Sequence, residues 1–402
     1  MTRATIVLAT LAVLAGGSAD GEPFVPSSDA QVLERLPYKA ADPVMAQLRA
    51  ERDQLRQEPQ NLRLAVRLAG RYIELGRVNG DPRYAGYAQA ALMPWWNLER
   101  PPAAVLLLRA NLRQHVHDFA GALADLDAVL HDNPWNAQAR LTRATVLQVQ
   151  GRYAAARGDC IALRRLSEEL VATACLTNVA SVTGHLRESL EQLSLALGRH
   201  PETNAAVRSW VLTDLAEMTV RQGRPAEAES YFRAALEVDP SDFYLLGAYA
   251  DFLLDQQRPA EAADLLADKT RADPLLLRYA LALKAQRSPL LPATTEQLRA
   301  RFDASRLRGD RVHLREEARF TLHILGDAPR ALQLAKDNWA VQKEVADVRI
   351  LLEAALACTD APSIATVSTW VRQSALEDVH IQRLMQTTLH PDQGALRTSL
   401  RP

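Results

Sequence analysis

The chain repeats itself, and that limits its possible folds more than any other feature. Arg224-Pro225-Ala226-Glu227-Ala228 returns 34 positions later as Arg258-Pro259-Ala260-Glu261-Ala262. The same offset carries Ala216 to Ala250, Phe232 to Leu266 and Asp239-Pro240 to Asp273-Pro274, so one register covers two whole units. A unit of thirty-odd residues cannot bury its own apolar faces, so such units stack on their neighbours. The chain has 67 Ala and 62 Leu against 26 Val and 7 Ile, which makes each unit helical rather than stranded.

Within a unit the pattern reads as two amphipathic helices. Residues 137–150 place Leu141, Ala144 and Leu147 on one face, Gly151-Arg152 interrupts, and Tyr153, Ala156, Cys160 and Leu163 resume the stripe. Equivalent breaks fall at Gly76, His117, Gly151, Gly184, Gly223, Gln257, Gly326 and Thr359. Small residues recur inside first helices (Ala69, Ala110, Ala144, Thr177, Ala216, Ala250) and second helices (Ala122, Ala156, Ser189, Ala228, Ala262, Ala331), where two helices must approach closely. Pro134, Pro201, Pro240 and Pro274 stand where second helices end.

This pattern resembles the tetratricopeptide repeat family, carried best by Leu215, Ala216, Gly223, Ala228, Phe232, Ala235 and Pro240, and next by Leu246, Ala250, Ala262, Leu266 and Pro274. The resemblance implies an all-α protein, an α-solenoid wound as a right-handed superhelix, with about eight or nine repeats over residues 61–373. The pattern weakens near 277–308, where Ser288-Pro289-Leu290-Leu291-Pro292 lengthens a turn, and near 312–340, where Arg319 takes a place expected for a small residue. In the family the concave face, built from first helices, grips a protein or peptide segment. Carried over, that groove is lined by Asn111, Thr145, Asn178, Glu217 and Asp251, then by Gln114, Gln148, Ser181, Val220 and Leu254, with Arg221 and Asp255 nearby. Asn111 to Ser181 form an amide and hydroxyl ladder suited to a peptide backbone. Glu217, Asp251 and Asp255 favour a basic stretch. Equally, these are what any solvated helix face carries.

Around the array, Arg3 and the apolar run from Ala4 to Ala15, closed by small residues, read as a secretory signal peptide over 1–19. Residues 20–60 read as an irregular segment followed by a capping helix from Asp42-Pro43 to Arg56, and 374–402 as a last helix and tail. The expectation is an exported bacterial protein, periplasmic or secreted, with no membrane insertion once the signal is cleaved; the Arg-rich, Lys-poor composition points to the same source. With 47 basic and 48 acidic residues there is no electrostatic pull toward nucleic acid.

No phosphate-binding loop, nucleophile elbow, His-Glu-x-x-His or Cys-x-x-Cys is present, so neither a cofactor, a metal nor an enzyme is expected. His115-x-His117-Asp118 has the wrong spacing for ligands on one helix face. Glu168-Glu169 and Glu316-Glu317 read as solvated charge, and Tyr84, Tyr87, Trp95 and Trp96 as a plug at one end of the array or an exposed anchor. Cys160 and Cys175 fall on helices that pack directly, as a disulfide in an oxidising compartment or as two buried thiols, with Cys358 left over. The function expected is a scaffold that holds part of a partner protein, as an envelope assembly factor. The alternative is an accessory subunit of an envelope enzyme or polysaccharide-related complex.

Overall fold

The computed structural model describes Ser28, residues 42–310 and residues 312–389; the signal-peptide reading of 1–19 lies outside the described residues. Contacts divide the chain into two units, up to Ala50 and from Glu51 onward. The boundary falls inside α1 (Pro43–Gln57). The first unit contributes the start of that helix, where the Asp42 carboxylate accepts from Val44 N at 2.8 Å and Met45 N at 3.3 Å.

From Glu51 onward the described residues are all-α, arranged as a solenoid of helix pairs: α2 (Leu62–Asn79) with α3 (Arg83–Trp96), α4 (Ala103–His115) with α5 (Phe119–Asp132), and α6 (Ala137–Val149) with α7 (Tyr153–Leu163). Next come α8 (Glu169–Ser181) with α9 (Leu186–Arg199), α10 (Ala205–Arg221) with α11 (Pro225–Val238), and α12 (Phe243–Asp255) with α13 (Pro259–Leu266). Then follow α14 (Asp273–Ala285) with α15 (Leu291–Leu307), α16 (Leu314–Phe320) with α17 (Ala328–Trp339), α18 (Val345–Ala357) with α19 (Ala361–Ser374), and α20 (Val379–Leu389) alone. A π-helical turn, Thr321–Leu325, extends α16.

Each pair turns through a residue with positive φ. His117, Gly151, Gly184, Gly223, Gln257, Gly326 and Thr359 all adopt it, as the repeat register predicts. Gly76 does not: it lies inside α2, and the turn falls at Gly80 (φ 57°). Arg287 (φ 54°) supplies the turn that the weak unit hid. Three second helices then restart on side-chain caps: Asp118, Asp327 and Asp360 accept from the amides of Gly121, Arg330 and Ser363 at 2.9, 3.1 and 3.1 Å.

The small residues at the crossings are buried throughout, and structure resolves the two irregular units. Helix α13 has 8 residues where α11 has 14, so the next unit begins early and its crossing residue is Ala280, 30 positions after Ala250. In the following unit the crossing residue is Ala318, fully buried; Arg319 is not a misfit but stands one place later, on the first-helix face. Glu316 and Glu317, expected as solvated charge, are buried. Glu316 pairs with Arg315 at 3.2 Å and Glu317 with Arg306. Trp95 is buried, while Tyr87 stays half exposed in a triangle with Tyr72 and Tyr84.

Contacts also join helix pairs far apart in sequence. Lys343 N donates to Val149 O at 2.7 Å, Leu186 N to Glu377 Oε1 at 3.0 Å, and Arg77 Nη1 to Asp242 at 2.7 Å. The last helices thus run against the turn ends of α6 and α8.

Candidate functional site

The residues following each crossing residue fall on one face of successive first helices, because 3.6 residues per turn place i, i+3 and i+7 together. On that face Gln148 Nε2 donates to Asn178 Oδ1 at 3.2 Å, and Asn178 Nδ2 donates to Asp214 Oδ2 at 3.0 Å. Of the six residues expected to form the ladder, Gln148 and Asn178 are thus joined across α6 and α8, and Asp214 on α10, which was not among them, continues the chain. Asn111 is exposed and Gln114 half-buried on α4; exposed Thr145 returns its hydroxyl to Leu141 O at 3.1 Å.

Ser181 does not line a surface. It is fully buried, and Arg221, itself nearly buried, donates to its carbonyl at 2.9 Å and its hydroxyl at 2.7 Å. The acidic half also differs from expectation. Asp251 lies between Arg278 and Arg319, at 2.6 and 2.7 Å, and Asp255 holds Arg349 through two 2.7 Å bonds. Burial raises the Asp251 carboxyl, but the two guanidiniums outweigh it and bring it to about 2. Arg349 also pairs with Glu353 at 2.8 Å, and His323 meets Glu353 at 2.8 Å. These acids are neutralised by the chain's own cations and are not a docking surface for a basic partner.

Glu217 is different. Its only hydrogen-bond donor among the described residues is Tyr244, whose hydroxyl reaches both carboxylate oxygens at 2.9 and 3.0 Å. Desolvation lifts Glu217 to about 7 despite that bond. Burial, with Glu217 adding repulsion, holds Asp214 well above the usual carboxylate range. Tyr244 is 63% exposed as a residue, and the negative charge of Glu217, then burial of its hydroxyl end, push its phenol well above the usual value; Glu344, which adds to the effect, is itself paired with Arg315 at 2.7 Å.

Sequence reasoning missed Asp214, Tyr244 and the arginines opposite. Two signals were there to be read: Asp214 shares a helix face with Glu217 and Arg221, and Tyr244 precedes Asp251 by seven. Nothing in the sequence pairs Asp255 with Arg349, which is 94 residues away. Cys160 and Cys175 are disulfide-bonded, Cα–Cα 5.4 Å, and Cys358 is free. No helix among the described residues is long and apolar enough to cross a membrane.

Stacked helix pairs, small residues at every crossing and a polar first-helix face define this chain as a helical-repeat solenoid protein. A tetratricopeptide repeat family model matches residues 107–167 and 213–275, which places repeats of that family in those two stretches. It is similar to a tetratricopeptide repeat protein from Parabacteroides merdae at 15% identity, over 63% of this chain and 98% of that one, with a TM-score of 0.37. It is also similar to the Cut9–Hcn1 hetero-tetramer (13%, 82% and 64%, 0.49) and to yeast Tom70 (13%, 89% and 86%, 0.38). No curated protein matches its sequence.

Proposed function

We propose that the chain is an exported scaffold that holds a cation-bearing segment of another protein against its first-helix face, as an assembly factor of the bacterial envelope. The observation that carries this reading is the Tyr244 hydroxyl on both Glu217 oxygens at 2.9 and 3.0 Å beside Asp214, where Arg221 on the same helix draws both carboxyls down but makes its hydrogen bonds to Ser181 instead. A lysine or arginine entering there keeps Glu217 ionised and offsets the desolvation that raises it. The Gln148–Asn178–Asp214 chain ends on this same Asp214 and offers amide groups to the backbone of an extended segment. The tetratricopeptide fold is itself a scaffold for protein partners, which supports the class of ligand.

The test is a photo-crosslinking residue in place of Tyr244 in the full chain, expressed in its native host. A specific protein adduct that disappears with Glu217→Gln, while the variant is at least as stable as the wild type, is the expected result. Adducts that persist in Glu217→Gln, or single-stranded RNA crosslinked instead of protein, would overturn the reading.

A further inference from the structure

A cleft of about 460 Å³ opens between α17 and α19, lined by Trp339, Ala365, Thr366, Thr369, Trp370 and Gln373. None of its lining residues belongs to the set around Tyr244, and the reading above does not depend on it. The two indoles meet edge to face, 5.3 Å between centroids at 80°, and Tyr153 backs Trp370 at 6.3 Å. The rings are therefore fixed before any ligand arrives. Thr366, Thr369 and Gln373 are exposed along one face of α19, about 4.5 and 6 Å apart by the helical rise. No lining residue is acidic. Two cations stand at the margin: Lys343 Nζ lies 5.5 Å from the Trp339 ring centroid, and Arg372 Nη2 donates to Thr369 Oγ1 at 3.2 Å.

We propose that this cleft binds an acidic sugar, a pyranose ring carrying a carboxylate. Each part of the site meets one part of such a ligand. The C–H face of the ring packs on an indole, whose negative face attracts those hydrogens. Its hydroxyls pair with Thr366, whose proton goes to Pro362 O at 2.9 Å so that its oxygen accepts, with Thr369, whose oxygen takes the Arg372 bond and whose proton can be donated, and with the Gln373 amide, which does both. Its carboxylate meets Lys343 and Arg372, where a neutral sugar would leave two cations unanswered. The perpendicular indoles form a corner rather than a parallel slot, which disfavours a flat nucleobase.

The experiment is a titration of the full chain with trigalacturonate, maltotriose and adenosine monophosphate, read by tryptophan fluorescence and by the indole N–H signals of Trp339 and Trp370. Saturable binding of trigalacturonate, about tenfold or more tighter than of maltotriose, is expected; one lost charged hydrogen bond corresponds to such a factor. Lys343→Gln together with Arg372→Gln should erase the preference between the two sugars. Trp370→Ala also removes packing on Tyr153, so the exposed Gln373→Ala is the second variant, expected to weaken trigalacturonate with an unchanged melting curve. No saturation by trigalacturonate, a preference that survives the double change Lys343→Gln and Arg372→Gln, or tighter binding of the nucleotide would overturn the proposal.

Discussion

Arg319 on α16 closes on the same Asp251 carboxylate that Arg278 holds from α14, at 2.7 and 2.6 Å, so one acid on α12 ties three first helices together. Replacing it leaves two guanidiniums facing each other with no counter-charge. Asp251→Asn should cost about 2–3 kcal/mol, the scale for charged hydrogen bonds lost inside a protein, measured by urea unfolding. The carboxyl sits near 2, below its unfolded value, so its stabilisation is present above about pH 4 and disappears as pH falls through 2. The variant should therefore lose less stability than the wild type on acidification over that range; equal losses would count against the pairing.

Glu217 predicts the opposite sign. Its carboxyl is raised to about 7, so its contribution to stability is complete below about pH 4.5 and is lost as pH climbs through 7. Asp214 and Asp347, both raised by burial, act in the same direction and remain in a Glu217→Gln variant. The difference in melting temperature between variant and wild type should therefore grow from pH 4.5 to pH 8 in favour of the variant. Parallel curves would show that Glu217 titrates at an ordinary value.

The bond between Cys160 and Cys175 closes a 15-residue span between α7 and α8. Denatured, unreduced protein should show one titratable thiol, that of Cys358. Reduction should cost about 3 kcal/mol by the chain-entropy argument. Three thiols before reduction would remove the bridge.

The revised register makes its own prediction. Ala318 is fully buried at a crossing, so Ala318→Leu should cost about 1–3 kcal/mol through overpacking. The same change at the exposed Ala346 should stay within about 0.5 kcal/mol. Similar melting temperatures for the two variants would return the crossing to position 319.

Except at Gly76, where the turn falls four residues later at Gly80, the breaks read from the sequence are the turns of the structure. Gly151, Gly184 and Gly223 mark breaks because the bend needs positive φ, and even His117, Gln257 and Thr359 were found by spacing. The register failed where helix length changed. A second helix of 8 residues moved the next crossing to Ala280, and no local residue announces that truncation. The candidate site was half legible. Periodicity put Gln148, Asn178 and Glu217 on one face, but the same rule put Ser181 and Asp251 there too. It could not show that Arg221 covers one and that Arg278 and Arg319 neutralise the other.

The sequence by itself determined the helix pairs and their stacking, because a repeated apolar stripe and a small residue at each crossing are local properties that any copy of the unit imposes on its neighbour. The tertiary structure alone decided which polar residues remain available. That depends on contacts such as Asp255 with Arg349 and Leu186 with Glu377, made by helix pairs far apart in the chain. A charge is answered by whatever lies within a few ångströms, and a repeat pattern fixes the distance to the next unit but not to one five units away.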